Sequence, residues 1–224
     1  MTKPNFCEIV IILDRSGSMV SVRDDTIGGF NTFVEEQKKT TVGECLLTLV
    51  QFDNEYEVVY SGKPITEVPL LNKDNYIPRG STALLDAIGE TINEVGTRLS
   101  KMNEEDRPSL VIFVTQTDGQ ENASLFFRSE QIKEMIKHQT YFYNWQFVFL
   151  GADQDSFQAE EMGISKSNTY NYMSTDSYKM HRSLSSALKM SRIKLSEVDP
   201  CEASSVAVNI GDMMREEDKN ESTL

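Results

Sequence analysis

The chain has 224 residues, with 22 Lys+Arg against 35 Asp+Glu and a formal net charge of −13 at pH 7. That balance excludes the basic face a nucleic-acid binder needs to neutralise phosphates, and it disfavours docking on anionic membranes. The length fits one domain, alone or with an appendage, and the three cysteines, an odd count without a CxxC pair, indicate neither a disulfide framework nor a zinc knuckle.

The first predicted element is the β-branched run at 9–13 (Ile-Val-Ile-Ile-Leu), which suits a strand buried on both faces. It is too short for a signal peptide and ends at Asp14, and no stretch approaches the ~18 apolar residues of a membrane span. The expected address is therefore the cytoplasm, where the sequons at Asn122 and Asn220 mean little. Ile27, Phe30 and Val34 follow at helical spacing, with Gly28 and Gly29 hinting at close helix–sheet approach.

Strands are then expected at 46–52 and 57–60, joined by the polar connection Phe52-Asp53-Asn54-Glu55, which reads as a hairpin and gives one antiparallel edge strand. Cys7 and Cys45 fall in apolar runs and read as buried thiols. The clearest helix is 82–99, with Leu84, Ile88, Ile92, Val95 and Leu99 on one stripe. A buried strand at 110–114 and a short helix holding Ile132, Met135 and Ile136 follow. Next comes the aromatic cluster Tyr141, Phe142, Tyr143 and Trp145, either core packing or a partner-binding patch.

A strand at 147–150, a weaker helix at 155–162 and a short strand at 168–172 lead to the last helix. That helix carries Met180, Leu184, Leu188 and Leu195 on one face, with Lys and Arg opposite, and ends at Asp199-Pro200. His138 and His181 read as structural or surface residues. Strands alternating with helices imply an α/β, doubly wound, mostly parallel sheet with helices on both faces. The expected division is a domain over 1–198 and an acidic, mobile tail over 199–224, in which 212–221 hold five acids and two bases. Val206-Ala207-Val208 is the part of that tail suited to docking on the body.

Three segments carry chemistry: Asp14-Arg15-Ser16-Gly17-Ser18 after the first strand, Gly80-Ser81-Thr82 through Asp86 at the start of the strongest helix, and Thr117-Asp118-Gly119-Gln120-Glu121-Asn122 after the strand at 110–114. Each sets oxygen donors where a parallel strand ends or a helix begins, the place where open α/β sheets bind ligands. If the first strand neighbours the strand at 110–114, Asp14 and Asp118 face one crevice. Asp14, Ser16, Ser18, Thr82 and Asp118 then offer hydroxyls and two carboxylates to a hard divalent ion such as Mg²⁺ or Mn²⁺. No Cys or clustered His favours zinc. Capping is the plainer role for Asp14, the serines and Thr82 taken singly. Asp86, Glu121 and Asn122 are either supports of the site or solvated positions. Arg15 is either a contact for a partner carboxylate or solvated.

The pattern Asp-x-Ser-x-Ser, a Thr in Gly-Ser-Thr-Ala-Leu-x-Asp-Ala, and a Thr-Asp-Gly after a buried strand resembles the von Willebrand factor type A domain over about residues 5–195. That resemblance implies a doubly wound sheet and a metal-ion-dependent adhesion site with Asp14, Ser16, Ser18 and Thr82 as ligands, and Asp118 direct or water-bridged. It also implies a protein partner whose acidic side chain fills the open position. Within the family the chain is similar to the small stand-alone intracellular kind found in bacteria and their phages. No GxGxxG, GxxxxGK[ST] or GxSxG is present, so a non-enzymatic binding module is the favoured function. The alternatives are a Mg²⁺-dependent phosphoryl hydrolase of haloacid-dehalogenase type, which lacks its second acid because position 16 is Ser, and a scaffold with a vestigial metal site.

Overall fold

Runs of Val, Ile and Leu that have two faces to bury extend as strands, and the polar residues between them decide where each strand stops. The computed structural model describes residues 2–152, 156–173, 176–198 and 209–221. In chain order the elements are β1 (Lys3–Asp14), α1 (Arg23–Lys39), β2 (Glu44–Phe52), β3 (Tyr56–Pro64), α2 (Leu84–Ser100), β4 (Pro108–Thr117), α3 (Ser129–Tyr143), β5 (Gln146–Ala152), α4 (Ser156–Glu161), β6 (Thr169–Tyr172), α5 (Ser177–Glu197) and α6 (Ile210–Glu221). The strands form one six-stranded sheet in the order β3-β2-β1-β4-β5-β6. Every neighbouring pair is parallel except β2–β3, the hairpin expected from Asp53 and Asn54.

The chain leaves β1 towards β2 on one side and returns through α2 to β4 on the other, so the strand order reverses between β1 and β4. Side chains alternate across the sheet. Cys7, Ile9, Ile11 and Leu13 pack with α1, α5 and α6, while Val10 and Ile12 pack with α2, α3 and α4. The stripe Leu84, Ile88, Ile92, Val95 and Leu99 is wholly buried in that second layer. Among the described residues no helix is long and apolar enough to cross a membrane.

Four expectations are revised. Gly29 serves helix–helix rather than helix–sheet contact: a Cβ there would lie 2.3 Å from Nδ1 of His181 on α5. His181 is buried, its Nδ1 2.8 Å from the Ser177 carbonyl, and burial pushes its pKa down to about 4. The basic side of α5 is not all solvated, since Arg192 is buried and donates to the carbonyls of Gln37, Thr40 and Val42. The aromatic cluster splits: Trp145 stacks on Phe113 in the core at 5.2 Å, whereas Tyr141, Phe142 and Tyr143 are exposed.

The fourth revision concerns the tail. Ile210–Glu221 forms a helix packed on the body, with Ile210 and Met214 buried in the layer shared with α5 and β6. Asp218 accepts hydrogen bonds from Tyr170 and Ser183. Cys201, Asp199-Pro200 and Val206-Ala207-Val208 lie outside the described residues.

Candidate metal centre

Asp14 continues the even-numbered face of β1 beyond Val10 and Ile12, so its side chain points to the α2 layer. The pairing Leu13↔Gln116 places Thr117 of β4 directly beside it. The two side chains therefore meet by register alone: Thr117 Oγ1 donates to Asp14 Oδ2 at 2.6 Å. The Ser16 N–H donates to Asp14 Oδ1 at 2.6 Å, the bond of an Asx turn that folds the loop back over the strand end. Tyr76, also buried, donates to the Asp14 carbonyl at 2.7 Å.

Asp14 is thus a fully buried carboxylate whose partners are all neutral, and no Lys, Arg or His forms an ion pair with it among the described residues. Burial pushes its pKa up to about 6 from the ordinary 3.8, against the pull of the Thr117 and Ser16 hydrogen bonds, and the nearby Asp118 charge pushes the same way. Between about pH 4 and 6 the folded chain holds a proton that the unfolded chain has released, so metal-free stability falls as pH rises through that window. Melting curves in chelator across this range should show the fall in the wild type and lose it in Asp14→Asn. Identical pH profiles for the two proteins would show that Asp14 is not the group responsible.

The hydroxyls converge next to this carboxylate. Ser16 and Ser18 Oγ lie 3.1 Å apart, and Ser18 Oγ donates to Asp118 Oδ1 at 2.5 Å. A Cβ built on Gly119 would lie 2.9 Å from Thr82 Oγ1, 3.4 Å from Ser18 Oγ and 3.6 Å from Ser16 Oγ. Three hydroxyl oxygens, two from the loop after β1 and one from the segment before α2, therefore surround one small space over Gly119, open because that residue has no side chain. All five residues expected as ligands come together at the β1/β4 switch point.

Thr82 reaches this space because it is not a cap. The N-cap of α2 is Ala83, with no side-chain cap bond. The first-turn N–H groups of α2 are instead satisfied by the loop after β4: Leu85 N–H donates to Glu121 Oε2 and Asp86 N–H to Ser124 Oγ, both at 3.0 Å. Asn122 Oδ1 accepts from the Thr82 N–H at 3.0 Å, and the Thr82 carbonyl accepts from the Asn122 and Ala123 N–H groups. Asp86 answers in the other direction, accepting the N–H groups of Leu125, Phe126 and Phe127 at 2.7–2.9 Å. Asp86, Glu121 and Asn122 are accordingly placed as supports that lock Thr82 to the Asp118 loop.

Arg15 is neither solvated nor turned to the hydroxyl pocket. Its buried guanidinium donates to Asp53 Oδ2 at 2.9 Å and to Glu57 in the β2–β3 hairpin. Arg79 donates to the same Asp53 oxygen at 2.9 Å. Burial pushes the Asp53 pKa up, but the Arg79 bond, the Glu55 N–H and the Arg15 charge outweigh it and hold the carboxyl below its ordinary value. The Arg79 N–H donates to the Arg15 carbonyl at 2.7 Å and the Gly17 N–H to the Gly80 carbonyl at 3.1 Å, so the clasp ties the Ser16–Ser18 loop to the segment bearing Thr82. Gly80 is required there: its φ is +67° and a Cβ would lie 2.1 Å from Asn54 Oδ1. Asp53 and Arg79 escape sequence reasoning because their partners are distant in the chain; the Asp-Asn turn was the only local signal.

Among the described residues no group of three or more His, Cys, Asp or Glu is gathered for a metal. The constellation over Gly119 is of another kind, two carboxylates with three hydroxyls.

No family model matches the chain, and no curated protein does. Solved structures do. Proximal thread matrix protein 1 from the mussel byssus superposes with a TM-score of 0.61 at 13% identity, covering 85% of this chain and 49% of its own. The same protein with a zinc-occupied MIDAS motif gives 0.59 at 14% identity, covering 85% and 48%. The vWF domain of the type V pili tip protein Mfa5 from Porphyromonas gingivalis gives 0.59 at 9% identity, covering 85% of this chain and 96% of that one. A von Willebrand factor type A structure from Catenulispora acidiphila gives 0.52 at 16% identity, covering 83% and 42%. The chain spans about half the length of the mussel protein. These likenesses establish the fold, that of von Willebrand factor type A domains.

Proposed function

We propose that Asp14, Ser16, Ser18, Thr82 and Asp118 hold a divalent cation, Mg²⁺ or Mn²⁺, and that the chain is a protein-interaction module whose centre takes an acidic side chain from a protein partner. The observation that carries this reading is the space over Gly119, lined by three hydroxyls and adjoined by a buried carboxylate, Asp14, that pairs with no cationic side chain among the described residues. The zinc-occupied motif of the mussel protein supports a divalent ion in this fold. Here the donors are hydroxyl and carboxylate oxygens, without thiolate or imidazole, which favours a hard ion. When bound, the ion supplies a Lewis-acidic position that an outside carboxylate can fill. Thr82 and the Ser16–Ser18 loop are held for it by the Asp86, Glu121 and Asp53 networks.

The phosphoryl-hydrolase reading finds no support. Two residues beyond Asp14, where that chemistry needs its second acid, stands Ser16, whose hydroxyl touches Ser18.

Thermal unfolding with and without Mg²⁺ or Mn²⁺ tests the proposal. At about 100 times Kd the ion adds roughly 2.7 kcal/mol, which for a domain of this size raises Tm by about 5–10 °C. Gly119→Ala puts a methyl into the space between the hydroxyls. It should fold with a metal-free Tm within a few degrees of wild type, yet bind Mg²⁺ at least tenfold more weakly by titration calorimetry. Unaltered Mg²⁺ affinity in Gly119→Ala would place any ion elsewhere, and a wild type that ignores both metals would favour the vestigial scaffold.

A further inference from the structure

The thiols of Cys7 and Cys45 face each other across the first two strands. The two residues are register partners in the parallel pair β1–β2, and both side chains belong to the layer packed by α1, α5 and α6. Neighbouring strands run about 4.8 Å apart, within the roughly 4.4–6.8 Å between Cα atoms that a disulfide spans. Both cysteines are free and buried, and the two thiols hydrogen-bond to each other. Cys45 is 5% exposed against 1% for Cys7, and it follows the exposed Glu44 at the start of β2, so a water-sized reagent meets Cys45 first.

The helix α5 brings a charge to this pair. Arg192 is buried, and its partners are the Gln37 side chain and the carbonyls of Gln37, Thr40 and Val42, all of them neutral. No carboxylate pairs with it among the described residues, and its buried Nε has no hydrogen-bond partner. Thr40 and Val42 lead into β2, so the guanidinium lies close to the two sulfurs and its charge favours a thiolate there. The Cys7 hydrogen bond and the Arg192 charge hold the Cys45 thiol below its ordinary pKa, against burial. The bond to Cys45, together with burial, pushes the Cys7 thiol up. One sulfur is thus set to ionise and the other to stay a thiol that donates to it. An adjacent cation is what separates a reactive cysteine from an inert buried one.

We propose that Cys7 and Cys45 form a site of reversible oxidation, at which hydrogen peroxide joins the two thiols as a disulfide that staples β1 to β2. The Cys45 thiolate attacks one peroxide oxygen; the O–O bond breaks, and hydroxide leaves to take up the proton that Cys45 gave away. Cys7 Sγ then attacks the sulfur of the Cys45 sulfenic acid. The S–S bond forms, the S–O bond breaks, and the departing oxygen leaves as water with the Cys7 proton. Two thiols are oxidised by two electrons and one peroxide is reduced to two waters. To test this, the reduced full chain is treated with a small excess of hydrogen peroxide at neutral pH, quenched with catalase, unfolded and labelled with N-ethylmaleimide. The expected product has lost two hydrogens, carries one label, on Cys201, and yields a cross-linked peptide joining Cys7 to Cys45; dithiothreitol restores three labelled thiols. In Cys7→Ser, which lacks the resolving thiol, dimedone should trap Cys45 about tenfold faster, or more, than it traps Cys7 in Cys45→Ser. Three free thiols after peroxide, a cross-link through Cys201 or between chains, or a Cys7–Cys45 bond that forms only in denaturant would overturn the site. Equal trapping in the two variants would overturn Cys45 as the attacking sulfur.

Discussion

Asp14→Asn should leave the metal-free protein at pH 7 at least as stable as the wild type, and it should abolish the response to Mg²⁺ or Mn²⁺. The reasoning starts from burial. A carboxylate lifted from 3.8 to about 6 is ionised at pH 7 at a cost of about 3 kcal/mol, taking 1.36 kcal/mol per pKa unit. The amide carries no charge, keeps an oxygen for the Ser16 N–H, and turns its NH₂ to Thr117 Oγ1, which can accept as well as donate. Part of the gain is lost in that rearrangement, so a net stabilisation of about 1–2 kcal/mol is expected, or a few degrees in Tm. With saturating Mg²⁺ the order should invert, because the wild type gains roughly 2.7 kcal/mol at 100 times Kd and the variant gains nothing. Crossing melting temperatures are a signature that a merely structural aspartate cannot give. A variant destabilised by several kcal/mol without metal would mean that the charge itself holds the fold, and a retained metal response would remove Asp14 from the centre.

What the sequence made legible follows from range. β1 and β4 stand out because strands buried on both faces must be continuously apolar, and the switch point follows from their pairing. Asp14 and Asp118 are therefore readable as residues just past two strand ends, and Thr82 as a hydroxyl at a helix start. Of their supports, Asp86, Glu121 and Asn122 were legible only as either supports or solvated positions. Glu121 and Ser124 cap α2 from 36 and 38 residues away, and Asp86 returns the favour, so neither leaves a capping box in the local sequence. Arg15 looked solvated because nothing near it in the chain is acidic beyond the candidate ligand Asp14; its partners Asp53 and Glu57 arrive through the hairpin. The helix α6 was hidden by its own charge: five acids and two bases in 212–221 read as a tail, while Ile210 and Met214 carry the contact. Local pattern thus located the candidate ligands, and long-range hydrogen bonds, which have no period, decided how they are held.

The clasp on Asp53 gives the other large expected effect. Asp53→Ala should lower stability by about 3 kcal/mol, the low end of the range for breaking a buried ion pair, and so lower Tm by roughly 6–12 °C. The cause is less the lost attraction than what remains: the Arg15 guanidinium stays buried with only Glu57, and the Glu55 N–H loses its acceptor at 2.7 Å. Glu57→Ala, which removes the exposed member, should cost under about 1 kcal/mol because solvent screens that pair. Asp53→Asn, which keeps an acceptor but no charge, should fall between. The contrast extends to the candidate centre, since the Asp53 carboxylate also holds Arg79, whose N–H bonds the Arg15 carbonyl at 2.7 Å beside the Ser16–Ser18 loop. With the clasp intact the Ser16–Ser18 loop and Thr82 are set in one geometry; without it, that geometry must be assembled at the expense of binding. Mg²⁺ affinity should accordingly drop in Asp53→Ala and barely change in Glu57→Ala, measured well below either Tm. Equal stability losses in the two variants would make the clasp an ordinary surface network, and an undiminished Mg²⁺ affinity in Asp53→Ala would mean that the backbone ladder from Gly17 to Gly80 suffices to position the hydroxyls.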